Sequence, residues 1–317
     1  MPASHVSPTQ DVWAIWAPLP ITRLRYPVLR WPSGLDPCIL SRTLQGRVWQ
    51  QVCTQFTPCV EQAARRCMRA SANCNADWAF PLNLVNGKAR FRMATVFVRW
   101  QPALSVLDIL SFGLPREEIV LCIDREVRAR FADDVAAVQP SVATLGELCP
   151  SRAGELLLHT LTPWVAGNVP IGQDMAARGE TLAEYYFFKL RVNLADRAYK
   201  LTALALDADL GSVDLPLAQR KAICLASNRA AEVTLIDGLL LSDAQLSYNT
   251  IYRPSVSTEL GRDMCTIVPY QVIEGRFTLR FNCAAWPWLA LMQVCGSGES
   301  ADEGWGAVNG VWAASAS

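Results

Sequence analysis

The stretch Phe80-Pro-Leu-Asn-Leu-Val-Asn-Gly-Lys-Ala-Arg-Phe-Arg-Met-Ala-Thr-Val-Phe-Val-Arg99 contains two runs of β-favouring residues separated by Asn86-Gly87. Asn-Gly is a strong signal for a two-residue hairpin turn, because both residues tolerate the positive φ angles that such a turn needs. The sequence therefore predicts a β-hairpin centred on Asn86 and Gly87. The elements on either side of this hairpin then decide the fold class.

Working outward from the hairpin, the first half of the chain predicts one ferredoxin-like unit. Leu44, Val48, Val52 and Phe56 recur every four residues and predict a helix from Ser41 onward. The other predicted elements are a strand at 11–19, a helix at 60–70, a helix at 103–112 and a strand at 119–123. The order strand, helix, hairpin, helix, strand is the βαββαβ arrangement, in which helices cover one face of an antiparallel sheet.

The second half predicts the same plan after a linker at 139–154. Its predicted elements are a strand at 156–162, helices at 181–206 and 217–231, strands at 264–270 and 275–281 around Gln271–Glu274, a helix at 286–294 and a strand at 306–312. We therefore expect an α+β chain of two tandem ferredoxin-like domains with antiparallel sheets, residues 1–145 and 146–317.

Glycines cluster between the last predicted helix and the last predicted strand, at Gly296, Gly298, Gly304, Gly306 and Gly310. Glycine is retained where the backbone needs positive φ or must approach another group closely, so this cluster predicts a loop that faces a phosphate-bearing ligand. The acidic residues inside it indicate that only the flanking glycines contact such a ligand. A loose tail or a simple hairpin is the alternative interpretation.

The composition indicates a globular protein without a bound cofactor. The chain has 317 residues, of which 51% are hydrophobic and 18% charged, and no apolar run is long enough to span a bilayer. The start of the sequence lacks a secretory pattern, so we expect a cytoplasmic protein with no membrane contact. Its eleven cysteines form no Cys-x-x-Cys pair and it has two histidines, which predicts reduced thiols and no zinc site. No dinucleotide or P-loop fingerprint occurs, so no nucleotide cofactor is expected.

Charge is distributed unevenly along a chain whose net charge is zero. The first hundred residues carry twelve arginines and lysines against four acidic residues, and the remainder carries the compensating negative charge. A basic half attracts a polyanion whatever the total charge. The acidic half is expected to face a protein partner or water.

Four pieces of the second half resemble motifs of one known family. They are Leu158-His-Thr-Leu-Thr-Pro163, Arg253-Pro-Ser255, Glu274-Gly-Arg-Phe-Thr-Leu279 and the two Gly-x-Gly steps at Gly296 and Gly304. Their order and spacing over about 155–312 resemble the C-terminal domain of the CRISPR repeat-processing endoribonucleases, members of the repeat-associated mysterious protein (RAMP) superfamily.

The resemblance implies two tandem ferredoxin-like domains that bind CRISPR repeat RNA and cut precursor transcripts into mature guide RNAs for antiviral defence. In this family the 2′-hydroxyl beside the scissile phosphate attacks it, and no metal is needed. Such chemistry requires a proton acceptor, a proton donor for the leaving oxygen and cations beside the crowded phosphate. The implied partners are a CRISPR repeat RNA hairpin and other subunits of a CRISPR effector complex.

The chain departs from the family at the expected catalytic histidine. Residues 21–56 contain no histidine, His5 precedes the first predicted strand, and His159 lies inside an apolar strand where a structural role is expected. The candidate catalytic residues here are instead Arg23, Arg25, Tyr26 and Arg42. Arginines are poor bases but suit a developing phosphate charge, and Tyr26 is either a proton relay or a packing residue.

A histidine-free, arginine-rich site resembles the type IV branch of the family, which implies slow cleavage by an enzyme that keeps its product within a larger complex. The expected RNA-binding residues are Arg30, Arg47, Arg65, Arg66, Arg69, Arg253, Ser255, Gly296, Gly298, Gly304 and Gly306. Two alternatives remain open from the sequence. One is a non-catalytic RNA-binding subunit of a CRISPR complex, and the other is a scaffold that binds no nucleic acid.

Overall fold

The computed structural model describes two antiparallel sheets and the helices that pack on them. The described residues are 8–28, 30–31, 37–52, 84–85, 88–89, 95–101, 104–113, 116–131, 138–150, 153–160, 164–165, 170–206, 216–259, 262–297 and 308–312. Within them, no helix has the length and apolar character needed to cross a bilayer.

The first half supplies one sheet, a short separate hairpin and four described helices. In chain order its elements are α1 (Pro8–Trp16), β1 (Pro20–Pro27), α2 (Pro37–Val52), β2 (Leu84–Val85), β3 (Lys88–Ala89), β4 (Val96–Gln101), β5 (Val106–Phe112), α3 (Glu117–Phe131), β6 (Ser141–Thr144) and α4 (Leu145–Leu148). The strands β1, β4, β5 and β6 form an antiparallel sheet in the order β4-β5-β1-β6. This order is that of a ferredoxin-like unit, as predicted.

The second half repeats this topology with a longer central hairpin. In chain order its elements are β7 (Gly154–Thr160), β8 (Trp164–Val165), α5 (Ile171–Arg178), α6 (Leu182–Ala205), α7 (Leu217–Gly238), β9 (Leu239–Glu259), β10 (Arg262–Phe281), a 3-10 turn (Cys283–Ala285), α8 (Trp286–Cys295) and β11 (Val308–Trp312). Strand β10 pairs with β7 and β8 along one edge and with β9 along the other, and β11 pairs with β7. The predicted α+β fold with two antiparallel, ferredoxin-like sheets is therefore confirmed.

Several predicted elements of the second half are present with small changes of boundary. The strand predicted at 156–162 is β7, the helix predicted at 181–206 is α6, and the last helix and last strand are α8 and β11. A capping box at Thr181 begins α6, because its hydroxyl accepts from the Glu184 N–H while the Glu184 carboxylate accepts from the Thr181 N–H.

The prediction of two strands separated near Gln271–Glu274 is wrong, because β10 runs through these residues without a break. Val272 and Ile273 pair with Asn249 and Tyr248 of β9 on one side and with β8 on the other. Backbone hydrogen bonding on both edges, together with burial of the Val272 and Ile273 side chains, holds residues 271–274 as a strand. The helix predicted at 217–231 also continues, to Gly238.

The strand predicted at 11–19 is wrong, because α1 occupies most of it. Val12 and Trp16 lie four residues apart, and both are buried among side chains of the second half. The Trp16 indole N–H donates to the Thr202 hydroxyl at 3.1 Å, and its ring packs edge-on against Trp288 at 6.1 Å. Burial of a tryptophan on one helical face outweighs the β preference of aromatic residues.

Two further predictions in the first half exchanged helix for strand. The region 103–112 contains β5 instead of a helix, and the region 119–123 lies in α3 instead of a strand. Residues of β5 are buried on both faces, so apolar residues occupy adjacent positions and the run carries no clear period. In α3, Ile119, Cys122, Ile123 and Val127 are buried at helical spacing, a pattern that the sequence analysis missed.

The hairpin around Asn86-Gly87 is present as the short pair β2–β3, in which Leu84 pairs with Ala89 and Val85 with Lys88. It is not part of the main sheet, whose hairpin is formed by β4 and β5. The region predicted as a linker, 139–154, contains β6 and α4. The helix predicted at 60–70 lies outside the described residues.

The buried thiols give a direct test of the packing of the two halves. Burial raises the pKa of Cys295 to about 12 and that of Cys149 to about 11. Because the thiolate is the reactive form, we expect both cysteines to resist alkylation in the native protein, whereas exposed Cys283 reacts. Iodoacetamide labelling followed by peptide mass spectrometry measures each site, and unfolding in urea should make the three equally reactive. Rapid native labelling of Cys149 would contradict this packing.

Candidate functional site

The sheet of the first half has one face covered by helices and one face that turns toward the second half. Alternation along β1 places Leu24 and Tyr26 against α2 and α3, where they join a buried apolar cluster. Ile21, Arg23 and Arg25 therefore lie on the opposite face. This opposite face is called the open face below.

The open face is divided along its strands into an apolar end and a charged end. At the apolar end, Ile21, Phe97, Leu110 and Phe112 are buried in the same cluster as the core of the second half. At the charged end, the side chains come from three of the four strands: Arg23 and Arg25 from β1, Asp108 from β5, and Arg99 and Gln101 from β4. The apolar end attaches the sheet to the second half and so places the charged end beside it.

Asp108 is the centre of the charged end. Arg23 donates to it through Nε at 2.9 Å and Nη2 at 2.9 Å, and Arg25 donates through Nε at 2.8 Å and Nη2 at 3.0 Å. The side-chain amide of Gln101 donates to the Asp108 Oδ2 at 2.9 Å. Two bidentate arginines on one carboxylate fix both guanidinium planes in defined orientations.

The strand register explains this convergence. Asp108 lies directly opposite Arg25 on β1 and directly opposite Arg99 on β4, so the three residues form one row across the sheet. The Asp108 side chain is 2% exposed, whereas that of Arg23 is 26% and that of Arg25 is 46% exposed. Three arginines around one carboxylate leave an excess of positive charge, and the exposed part of that charge belongs to Arg23 and Arg25.

Burial acts on the ionisation of the groups in this row. Burial raises the pKa of Asp108 above its ordinary value, and hydrogen bonding and charge from Arg25, together with the charge of Arg99, oppose that rise. Burial likewise lowers the pKa of Arg99, and the nearby Asp108 carboxylate opposes the fall. Carboxylate and guanidinium thus stabilise each other's charged forms in a partly desolvated place.

The end of α8 lies beside this row and leads into the glycine-rich segment. Arg99 donates through Nη1 to the main-chain carbonyl of Gln293. Arg197 of α6, which is buried, donates to the carbonyls of Cys295 at 3.2 Å and Gly296 at 3.1 Å. Gly296 ends the helix with φ 74°, in the positive-φ region that glycine adopts without strain. Of the predicted glycine loop, Gly298, Gly304 and Gly306 lie outside the described residues.

Tyr26 is not brought together with Arg23 and Arg25. It is buried on the helix-covered face, and its hydroxyl donates to the Asp124 carboxylate of α3 at 3.2 Å. Burial raises the pKa of Tyr26 well above its ordinary value, and the charge and hydrogen bond of Asp124 raise it further. Strand alternation thus gives Tyr26 the packing role that was the alternative to a proton relay.

Replacement of Tyr26 by phenylalanine tests this placement. We expect the variant to lose about 1 kcal/mol of unfolding free energy, the usual contribution of one hydrogen bond. Urea unfolding measures the loss. An unfolding free energy equal to that of the wild type would contradict the hydrogen bond between Tyr26 and Asp124.

The remaining predicted arginines are dispersed around the first half. Arg30 is exposed just after β1. Arg47 of α2 is 46% exposed and forms an ion pair with Glu126 of α3 at 3.5 Å. Arg42 belongs to α2, but its side chain lies outside the described part of the chain, as do Arg65, Arg66 and Arg69 altogether.

The predicted RNA-binding residues of the second half lie on the long hairpin. Arg253 and Ser255 belong to β9, where they pair with Val268 and Thr266 of β10. The β9–β10 pair extends well beyond the residues of β10 that contact β7, so it forms a two-stranded ribbon that leaves the sheet. His159 is a half-buried residue of β7 between Arg276 and Asn309, as expected of a structural histidine in a strand.

Sequence reasoning missed Asp108, Arg99 and Gln101. Asp108 was placed in a predicted helix, although a lone acidic residue in the apolar run Val106–Phe112 signals a buried carboxylate that needs a cationic partner. The predicted hairpin strand ended at Arg99; continued to Gln101, its alternation would have placed Arg99 and Gln101 on the face of Phe97. The missing information was which strand lies next to which.

No family model and no curated protein matches this sequence. Solved structures do match: Thermus thermophilus Cas6 over 92% of this chain and 98% of its own, at 12% identity and a TM-score of 0.41. The CRISPR RNA processing endoribonuclease Cas6b matches over 92% and 100%, at 11% identity and a TM-score of 0.32. The CRISPR endoribonuclease Cse3 bound to a 19-nucleotide RNA matches over 92% and 98%, at 12% identity and a TM-score of 0.32.

Proposed function

We propose that this chain is a metal-independent endoribonuclease that binds CRISPR repeat RNA and cleaves precursor transcripts into mature guide RNAs by attack of a 2′-hydroxyl. The motifs of the second half and the basic charge of the first half support a repeat RNA as the substrate. The charged end of the open face is the proposed catalytic site. Arg23 and Arg25 carry the chemistry there.

The observation that carries this proposal is the fixed, half-exposed pair Arg23 and Arg25 on a single buried carboxylate. Each arginine uses Nε and one hydrogen of Nη2 on Asp108, which leaves the Nη1 amino group and a second Nη2 hydrogen to donate elsewhere. These donors are held in place before any substrate arrives. Preorganised donors aimed at developing charge are the largest single contribution to many enzymatic rates.

Arginine supplies charge stabilisation in this mechanism and does not remove a proton. Its pKa lies above about 12, so the guanidinium remains protonated at neutral pH. The attacking 2′-hydroxyl therefore loses its proton to water and its oxygen bonds to phosphorus, while Arg23 and Arg25 stabilise the additional negative charge on the pentacovalent phosphate. The bond from phosphorus to the 5′ oxygen then breaks, and that oxygen takes a proton from water, which leaves a cyclic phosphate and a 5′-hydroxyl. Cleavage without a positioned general base is slow, which supports an enzyme that turns over once and keeps its product.

The other expected contacts serve to hold RNA. Arg30, Arg47, Arg65, Arg66 and Arg69 are proposed to contact the backbone of the repeat hairpin, whose A-form shape is read mainly through phosphates. Arg253 and Ser255 on the ribbon, together with the glycines of the segment from Gly296 to Gly306, are proposed to position the strand that is cut. Arg42 is proposed to assist the pair on β1. Retention of the cut RNA makes the chain a subunit of a CRISPR effector complex.

A cleavage assay with purified protein and repeat RNA in EDTA tests the proposed function. We expect one specific cut that leaves a cyclic phosphate and a 5′-hydroxyl, with at most one turnover per enzyme. A 2′-deoxy nucleotide at the cut position should abolish cleavage while binding persists. Intact RNA in the presence of saturating enzyme would overturn the enzymatic proposal.

The second candidate function is a non-catalytic RNA-binding subunit of the same kind of complex. It is favoured by one specific observation: Tyr26, which was either a proton relay or a packing residue, is buried on the other face of the sheet from the arginines. Binding without cleavage in the EDTA assay would support this candidate. Its affinity should fall with salt at a log–log slope of about −0.7 per phosphate contact on single strands, and no binding at low salt would remove both RNA functions.

A further inference from the structure

We infer that Arg99 is a positioning residue that sets the end of α8, and with it the start of the glycine-rich segment, against the arginine pair of the first sheet. The inference rests on the proposed function, since it concerns how the two parts of that site are held together. Arg99 was not among the residues expected from the sequence to act in the site. It acts through other groups and does not contact the reacting phosphate.

The first observation is the place of Arg99 in the sheet. It lies on β4 directly opposite Asp108, in the same row as Arg25. Its neighbour on the same face, Phe97, is buried against the second half, so the backbone on that side is anchored. The base of the Arg99 side chain is thus fixed beside the carboxylate that orients Arg23 and Arg25.

The second observation is that the Arg99 guanidinium contacts the end of α8. Its guanidinium crosses to the second half and donates to the Gln293 carbonyl in the last turn of α8. The last carbonyls of a helix lack intrahelical donors and carry the negative end of the helix dipole, so a cation there is stabilised. A single side chain therefore joins the Asp108 row to the helix that leads into the glycines.

The third observation is that the same helix end is held from its other side. Arg197 donates hydrogen bonds to the carbonyls of Cys295 and Gly296. The Gly296 N–H donates to the Met292 carbonyl at 2.8 Å. Arg197 comes from α6 of the second half, so it orients the helix end within its own domain. Arg99 relates the same helix end to the arginine row of the first sheet, so the end of α8 is held by one arginine from each half.

The arginines of the site therefore have two different roles. Arg23 and Arg25 present donors to the phosphate, whereas Arg99 controls how far Gly296, the first glycine of the segment, lies from them. Loss of Arg99 should leave RNA bound but poorly placed. Misplacement of reacting groups by about 1 Å can cost on the order of 100-fold in rate.

The test compares Arg99→Gln and Arg99→Lys in the full chain, with Arg280→Gln as a matched control, because Arg280 forms an exposed ion pair with Glu155 in the second half. We expect Arg99→Gln to lower the single-turnover cleavage rate about 10- to 100-fold. The RNA dissociation constant should stay close to the wild-type value. Arg99→Lys, which can still donate to the Gln293 carbonyl, should recover part of the rate, and Arg280→Gln should behave as the wild type.

Hydrogen exchange in the RNA-free protein provides a readout that does not depend on cleavage. We expect the peptide covering 286–297 to exchange faster in Arg99→Gln than in the wild type and the control. If rate and exchange are both unchanged, or if rate, affinity and thermal stability collapse together and lysine restores none of them, the inference is overturned. If the wild type itself does not cut RNA, the proposed function fails, and the exchange result alone decides whether Arg99 holds the end of α8.

Discussion

Replacement of Arg25 by alanine is expected to lower the single-turnover cleavage rate of repeat RNA by about 100-fold, and replacement of Arg23 and Arg25 together by about 1000-fold. These are the losses typical when preorganised donors are removed from developing negative charge. The effect should appear in the chemical step, measured with enzyme in excess over RNA, since many other arginines remain to bind the backbone. RNA affinity, measured by filter binding at fixed salt, should fall much less.

Stability must be measured beside the rate, because these arginines also neutralise Asp108. Removing both leaves a buried carboxylate with weaker compensation, and an uncompensated buried charge costs about 3–5 kcal/mol. The triple variant Arg23→Ala, Arg25→Ala, Asp108→Asn removes that charge and should regain part of the stability without regaining cleavage, because Arg99 then lacks its carboxylate partner. Arg178→Ala, which breaks an exposed ion pair with Asp174, is the control. Wild-type cleavage by the folded double variant would disprove the proposed site.

Replacement of Trp16 by alanine is expected to destabilise the protein by about 3–5 kcal/mol, the usual cost of truncating a buried tryptophan. Trp16 is fully buried, packs edge-on against Trp288 and donates to Thr202, both of which belong to the second half. The loss should therefore affect the core that α1 shares with α6 and α8. Urea unfolding followed by tryptophan fluorescence and circular dichroism measures the change.

The control for this prediction is another large aromatic residue without burial. Tyr252 on the ribbon is 70% exposed, so Tyr252→Ala should change the unfolding free energy by less than about 0.5 kcal/mol. If Trp16→Ala were as stable as Tyr252→Ala, α1 would not belong to the core of the second half. That outcome would contradict the helix α1 and would support the original prediction of a strand at residues 11–19.

The fold class was predicted more accurately from the sequence than the individual helices and strands were. The order of elements in the second half follows from signals that are strong locally: the capped, long α6, the apolar α8 and the apolar run of β7. In the first half the general order of strand, helix, hairpin, helix and strand was right, but α1, β5 and α3 were each assigned the wrong structure, and the predicted hairpin is not the β4–β5 pair of the sheet. A short run buried on both faces has no readable period, so β5 could not be distinguished from a helix.

The sequence predicted that arginines would form the candidate site, but it predicted only some of the residues that lie there. The concentration of arginine near β1 is visible in the chain, and it predicted Arg23 and Arg25 as partners of a phosphate. Tyr26 was included because it is adjacent in sequence, yet adjacency in a strand means opposite faces. Asp108 and Arg99 were left out because each comes from a strand whose neighbours are determined only when the sheet forms.

The sequence by itself determined the α+β class, the repeated ferredoxin-like plan, the basic character of the first half and the arginines available for phosphate chemistry. These properties depend on composition, local periodicity and capping, which act over a few residues. Only the tertiary structure decided that Arg23 and Arg25 share Asp108, that Tyr26 lies on the opposite face, and that Arg99 reaches the end of α8. These are consequences of strand register and of how two domains pack, and both depend on contacts between residues far apart in the chain.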